Sequence, residues 1–244
     1  MANPRSAFHR ANRLLAALDR KDLRHLEPYL EVEDLPRGKI LYDAGDAMKF
    51  IYFPHDCIIS LLSYLGNGAS VEMAMYGREA ALDPISELIG GQSFGRYVVY
   101  VPGTASRIDV HRFQEAVEAR PNIRQLIRTF MAAHATETFQ TIACNAVHPI
   151  ASRCCRWLLN VHDRLDQDTL PLTHELLANV LGVQRSTLTE ILGTLQAAGC
   201  IAQGRGTIAI TNRAGLEQRA CECYWKVRET FEGKLPLTYS AVPI

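Results

Sequence analysis

Residues 172–200 read Leu-Thr-His-Glu-Leu-Leu-Ala-Asn-Val-Leu-Gly-Val-Gln-Arg-Ser-Thr-Leu-Thr-Glu-Ile-Leu-Gly-Thr-Leu-Gln-Ala-Ala-Gly-Cys. Thr173 is placed to cap a helix, and Glu175 adds an acid to its first turn, where the helix dipole favours negative charge. That helix is predicted over 174–180. Gly182 follows, where a left-handed residue lets the chain turn sharply. A second helix is predicted from about Arg185 to Ala198. Leu176, Leu177, Val180, Val183, Leu188, Ile191, Leu192 and Leu195 recur as one apolar face. Two short helices, a tight glycine turn and a polar start to the second helix are helix-turn-helix grammar. Gly199 ends the second helix. Ile201-Ala202-Gln203, the turn Gly204-Arg205-Gly206 and Thr207 to Ile210 then read as a β-hairpin, the wing of a winged helix.

Each part has a physical task. The second helix would enter a major groove N-terminus first, presenting Gln184, Arg185, Ser186, Thr187, Thr189 and Glu190. Arg185 can fork onto guanine O6 and N7, and Glu190 can accept from cytosine N4. Thr173, His174 and Arg205 are placed for phosphates, which position a protein without specifying sequence. A helical pair of this kind can also serve as a protein-binding hairpin in a ligand-sensing module, and salt-dependent DNA affinity separates the two uses. Residues 150–225 hold seven Arg or Lys and seven Asp or Glu, so the predicted DNA affinity is modest. The basic side chains must share one face, with Asp163, Asp166 and Asp168 elsewhere.

Working outward, His148-Pro149 marks a boundary, because proline disfavours helix just before itself. Residues 122–147 contain no Gly or Pro and can run as one helix of roughly 39 Å. A helix that long is expected to pack along a partner as a dimer seam, the alternative being a helix laid on the surface of its own barrel. Ile123, Ile127 and Phe130 carry a 4-3 spacing and, with His134 and Thr141, are the expected dimer interface. A polar stripe of His134, Thr138, Thr141 and Asn145 runs beside them. Between about 31 and 110, glycines and prolines cut the chain into short apolar runs, among them Ile40 to Tyr42, Phe50 to Phe53 and Cys57 to Leu65. Gly66-Asn67-Gly68 is a hairpin signal before Val71 to Tyr76. Many short strands with frequent turns indicate a small β-barrel or roll. Residues 7–30 read as short helices.

Composition sets the bounds. The chain has 244 residues, 26 Lys+Arg against 26 Asp+Glu, 48% hydrophobic and 21% charged residues. That is globular composition and excludes a disordered or fibrous chain. No apolar run approaches the roughly 20 residues needed to span a bilayer, and residues 1–10 lack a signal-peptide core. A cytoplasmic protein with no membrane partner is expected. The seven cysteines are odd in number with no C-x2-C pair, and Cys221-x-Cys223 is too tight for an ordinary zinc knuckle. They read as core or surface thiols, with no metal site. No G-x-S-x-G, H-E-x-x-H, P-loop or dinucleotide fingerprint is present, so no catalytic residues are assigned and an enzyme is not expected.

The order of N-terminal helices, β-roll, long helix, hinge and winged helix resembles the Crp/Fnr superfamily of bacterial transcription regulators. The likeness runs from about residue 12 to 225. It is carried by Leu35-Pro36-Arg37-Gly38-Lys39-Ile40-Leu41, Ala44-Gly45-Asp46, Ile51-Tyr52-Phe53 and Gly182-Val183-Gln184-Arg185-Ser186-Thr187-Leu188. It implies an α+β fold with a double-stranded β-helix or jelly-roll-like sensor domain over 1–120. A dimerisation helix over 121–148, a winged helix-turn-helix domain over 149–230 and a tail over 231–244 follow. It also implies a homodimer on double-stranded DNA with a two-fold symmetric operator, RNA polymerase as a further partner, and an effector in the roll.

Departures from the family pattern bear on that effector. The cyclic-nucleotide branch carries Phe-Gly-Glu and a later Arg-Ser, whereas this chain has Gly77-Arg78-Glu79-Ala80-Ala81-Leu82 and Phe94-Gly95-Arg96-Tyr97. Glu79, Arg96, Tyr97, His134 and Thr138 are the pocket candidates, for a non-canonical small molecule or nucleotide. A roll that binds nothing in a constitutively active dimer stays open. The first 56 residues hold no cysteine, which argues against the iron–sulfur centre of the oxygen-sensing branch. Haem would need an axial ligand, and nothing selects among His55, His111, His134 and Met73.

Overall fold

The computed structural model describes residues 8–66, 70–82, 84, 91–165 and 167–235. Two short helices come first, α1 (Arg13–Ala16) and α2 (Arg20–Leu26). Asn12 caps α1 by accepting the Leu15 N–H, while its amide donates to the Pro54 and Ala80 carbonyls, both at 2.9 Å. A buried Asn satisfied on every side ties the N-terminus to the roll. Leu14, Leu15, Leu18, Leu23, Leu26 and Leu30, the predicted apolar positions, are all buried.

The roll comprises β1 (Glu31–Leu35), β2 (Ile40–Tyr42), β3 (Phe50–Pro54), β4 (Ile58–Tyr64), β5 (Ser70–Tyr76), β6 (Arg96–Val101) and β7 (Gly103–Asp109). They form two antiparallel sheets, ordered β1-β7-β3 and β2-β6-β4-β5. Gly38 and Gly45 adopt φ of +78° and +85° at the predicted turns. β4 and β5 pair antiparallel as expected, although Asn67 and Gly68 of the predicted hairpin lie outside the described residues, as does Asp166. β1 gave little sequence signal because only Leu35 of its five residues is buried. Inside the roll, Tyr97 is fully buried and sits 5.8 Å from Tyr76 and 6.3 Å from Tyr42, ring to ring.

α3 (Val110–Ala119), capped by Asp109, leads into α4 (Pro121–Val147), the predicted long helix of 27 residues. Proline at its first turn and His148-Pro149 at its end set its limits. α5 (Ile150–Arg164) follows, then β8 (Thr169–Leu170), α6 (His174–Leu181), α7 (Arg185–Ala197), β9 (Ile201–Gly204), β10 (Thr207–Ile210), α8 (Arg213–Glu217) and α9 (Cys223–Lys234). β8, β10 and β9 form the winged sheet. α9 returns to pack along α4 and runs past residue 231. Among the described residues no helix is long and apolar enough to cross a membrane.

The face of α4 that turns inward is not the expected one. Ile123, Ile127 and Phe130 are buried in the roll's own core, with Phe113 and Phe53. They are used within the chain and cannot also face a partner. The exposed stripe is Arg128, Ala132, Phe139, Ile142 and Ala146, with half-buried Ala135 between. These positions recur at 4-3-4-3-4 spacing, and Phe139 is 70% exposed.

The winged domain is docked onto the roll. Ile58, Leu62, Met75 and Val101 share one apolar cluster with Leu158, Leu177 and Leu188. A buried ionic knot fastens the same junction. Arg164, with no exposed surface, donates to Glu79 at 2.8 Å and to Glu137 of α4 at 2.9 Å. Gly77 makes room for it, since a Cβ there would lie 2.8–2.9 Å from Arg164 Cβ, Cγ and Cδ. Removing one member of a buried pair strands the others. Arg164→Ala is therefore expected to cost about 3–5 kcal/mol in chemical denaturation, and Gly77→Ala to lower the midpoint as well. Wild-type midpoints for both variants would show that the knot contributes nothing to stability.

Candidate nucleic-acid interface and effector cleft

Local chemistry builds the reading head. The Thr173 hydroxyl accepts the Leu176 N–H at 3.2 Å, leaving its own proton free to donate outward. His174 beside it is half-buried. Gly182 caps α6 at φ 67° and ψ 39°, in the left-handed region. The Val183 N–H then reaches back to the Ala178 carbonyl at 3.0 Å, which closes the turn. Leu188, Leu192 and Leu195 anchor α7 in the core. The opposite face is open: Gln184, Arg185, Ser186, Thr189 and Glu190 are exposed and Thr187 is half-buried. Gln184 makes no side-chain cap, and a helix N-terminus without one is a favourable seat for phosphate. Arg185 and Glu190 make no ion pair among the described residues. Thr189 bonds back to the Arg185 carbonyl. Arg205 is exposed at the wing tip beside Gly206, at φ +72°, and the Gln203 N–H on Gln196 fixes the wing against α7.

Most of the domain's charge is spent internally. Arg213 pairs with Asp163 and Glu217, both at 2.8 Å, and Asp168 accepts from His162 at 2.8 Å. Arg153 donates to the Leu181 carbonyl and Arg156 to the Thr141 hydroxyl. Arg185 and Arg205 stay exposed at the start of α7 and at the wing tip, so a domain with balanced charge still presents positive groups there.

A small cleft of about 30 Å³ lies between β5, α4 and α5. His134 and Thr138, two of the five pocket candidates, line it, together with Glu72, Glu137, Arg156 and Trp157. Thr141, expected at the interface, also lines it. Glu79, Arg96 and Tyr97 are elsewhere. Glu79 is spent on Arg164, Arg96 pairs with Asp43 and lies over the Tyr64 ring, and Tyr97 is in the roll's aromatic core. The cleft has room for a water or two. Glu72, Glu137, Arg156 and Trp157 escaped sequence reasoning because their partners are distant in the chain.

The cleft's charges are strongly perturbed. Burial pushes the Glu72 carboxyl up to about 7, against the hydrogen bonds from Ser60 and Trp157. Burial would also raise Glu137, but Arg164 and His134 overcome it and hold Glu137 at about 2. At the far end of α4, Cys144, His148, Cys221 and Cys223 place four ligand atoms within 4.8 Å of one another. The Cys144-x3-His148 spacing was the available signal for this group, and reading each cysteine singly missed it.

The folded state binds the Glu72 proton more tightly than the unfolded chain does. Its contribution is therefore full below the ordinary value of 4.5 and is lost as pH rises through about 7. His55, which burial holds down at about 4, acts in the opposite direction between 4 and 6.5. Subtracting the stability curve of Glu72→Gln isolates the first effect. The expected difference is a wild-type stability that declines relative to the variant across pH 4.5 to 7. Parallel curves would mean that folding leaves the titration of Glu72 unchanged.

Residues 152–219 match the model of the Crp-like helix-turn-helix domain. The global nitrogen regulator of Synechococcus elongatus is 24% identical over 201 residues, covering 78% of this chain and 90% of that one. The global nitrogen regulator of Synechocystis sp. is 25% identical over 219 residues, covering 85% and 96%. Among solved structures, FixK2 from Bradyrhizobium japonicum superposes with a TM-score of 0.69 at 13% identity, over 79% of this chain and 98% of that one. The c-di-GMP responsive global regulator CLP of Xanthomonas campestris gives 0.64 at 14% identity, over 80% and 100%. Residues 152–219 thus carry a Crp-like helix-turn-helix domain, the fold is the one seen in the Crp/Fnr structures, and with these relatives in agreement the chain is a DNA-binding transcription regulator.

Proposed function

We propose that the chain acts as a homodimer joined along α4 and places one α7 in each half of a two-fold symmetric operator. A small polar effector in the cleft between β5, α4 and α5 controls it, and RNA polymerase is the partner through which it changes transcription. The observation that carries the DNA reading is the start of α7, where Gln184, Arg185, Ser186 and Glu190 are exposed with no side-chain partner among the described residues. Side chains held out on a rigid helix are what base edges require.

The exposed 4-3 stripe of α4 supports the dimer. Phe139 and Ile142 would insert as knobs, and the alanines between them allow close helix approach. The cleft supports the effector because it carries Glu72, Glu137, His134 and Arg156 where roll, long helix and winged domain meet. Its small volume means that a ligand must open it, and Trp157 is the wall that would move. The c-di-GMP responsive relative makes nucleotides a sensible first class to screen.

The purified protein is to be titrated against DNA from upstream of its own gene at two salt concentrations, with random DNA as control. Sequence-specific binding that weakens with salt is expected. Tight binding without effector would make any cleft ligand an inhibitor. Equal affinity for both DNAs with every compound screened would sink the operator reading. Arg185→Ala should cost about 1–3 kcal/mol and relax base preference at one position per half-site. Unchanged specificity would remove Arg185 from the reading set. By sedimentation, Phe139→Glu should give a folded monomer, whereas Phe130→Glu should disrupt the roll core. A folded Phe139→Glu dimer would place the interface off this stripe.

A further inference from the structure

We propose that Cys144, His148, Cys221 and Cys223 form a structural zinc(II) site that locks the hinge between the long helix and the winged domain. All four ligand atoms lie within 4.8 Å of one another. Cys144 Sγ and Cys221 Sγ are 3.4 Å apart, as are Cys223 Sγ and His148 Nδ1. A tetrahedral zinc ion with its usual bond lengths needs ligand separations of about 3.5–3.8 Å. The two 3.4 Å pairs need only a few tenths of an ångström, and the longest separation must close by up to about 1 Å, shared between two ligands; three thiolates with one imidazole are a standard zinc set. An iron–sulfur cluster interposes its own irons and sulfides between its cysteines and would not fit a cage this tight.

The surrounding groups match a metal as well. Cys144 and His148 stand one helical turn apart at the end of α4, while Cys221 and Cys223 flank the start of α9. The two cysteines are too close in sequence to chelate as a knuckle, but here they meet a pair supplied by another helix. His148 turns Nδ1 to the cluster, and its Nε2 meets the Glu222 carboxylate at 3.2 Å. That is the carboxylate–histidine arrangement that orients a metal-bound imidazole. Gln140 donates to Cys223 Sγ at 3.0 Å. Arg153 and Arg156 act electrostatically on Cys144 and Cys221, and both keep a buried Nε without a hydrogen-bond partner. Their charge offsets the net negative charge of zinc with three thiolates. Binding releases the three thiol protons and joins the last turn of α4 to the first turn of α9, across His148-Pro149. Zinc occupancy would then set the angle at which α7 meets DNA.

Full-length protein, purified reduced and without chelators, should carry one zinc ion per chain by elemental mass spectrometry. Cys221→Ser should lose it, and Cys57→Ser, in the roll, should keep it. Glu222→Gln, which acts through His148, should weaken zinc affinity about 10–100-fold. Because ligand variants can misfold, the wild-type protein stripped of metal should also be titrated with cobalt(II). Thiolate charge-transfer and intense tetrahedral d–d bands are expected, abolished by zinc. Three results would each overturn the site: a stripped protein, folded by circular dichroism, that shows no such bands; zinc retained by Cys221→Ser; or a Cys144–Cys221 disulfide in the freshly isolated protein.

Discussion

Arg164 is fully charged yet wholly removed from water, which is tolerable only because Glu79 of the roll and Glu137 of the long helix meet it from two sides. Desolvating three charges is costly, and such a group adds little net stability compared with an apolar core. It contributes geometry instead. Each carboxylate keeps its arginine partner only when roll, long helix and α5 stand in one arrangement, so the knot specifies how the reading head is carried. Glycine at position 77 follows from the same constraint, because the guanidinium stem fills the space that any Cβ would need.

The knot also adjoins the cleft. Glu137 touches Arg164 on one side and lies 3.7 Å from His134 on the other. Trp157 of α5 donates to Glu72 across the same space. A ligand that competes for Glu137 or displaces Trp157 therefore acts directly on the contacts that dock the winged domain. No long chain of intermediates is needed, because the cleft and the joint share side chains.

What the sequence disclosed and what it withheld divide along chain separation. The helix-turn-helix was legible because its signals are local: Thr173 caps, Gly182 turns, and Leu188, Leu192 and Leu195 repeat within one helix. The long helix was legible for the same reason. Which of its faces is buried was not, because α4 carries two 4-3 stripes, and the alanine-rich one has the weaker apolar signal. Which stripe faces inward depends on Phe53 and Phe113, far away in sequence. Glu79 resembled a pocket acid because Arg164 lies 85 residues on. The Cys144-x3-His148 spacing hinted at half of the thiol–imidazole cluster, but its junction with Cys221 and Cys223 was hidden because Cys144 and Cys221 are separated by 77 residues.

The internal use of arginine bears on how this reading head works. A domain with seven cations that commits Arg153, Arg156, Arg164 and Arg213 to internal bonds has few left to displace counterions from DNA. Nonspecific affinity scales with the phosphates neutralised, so it should be low here. The base reading proposed for Arg185 and Glu190 would not be diluted by this economy, because base-edge contacts do not depend on counterion release. Weak background binding combined with intact base reading favours specificity over affinity. A second reading head is then the natural source of binding strength, since joining two weak heads raises avidity without any new contact. The sparse charge of the winged domain and the exposed stripe of α4 thus agree with the proposed dimer, in which a second head would supply what each head lacks.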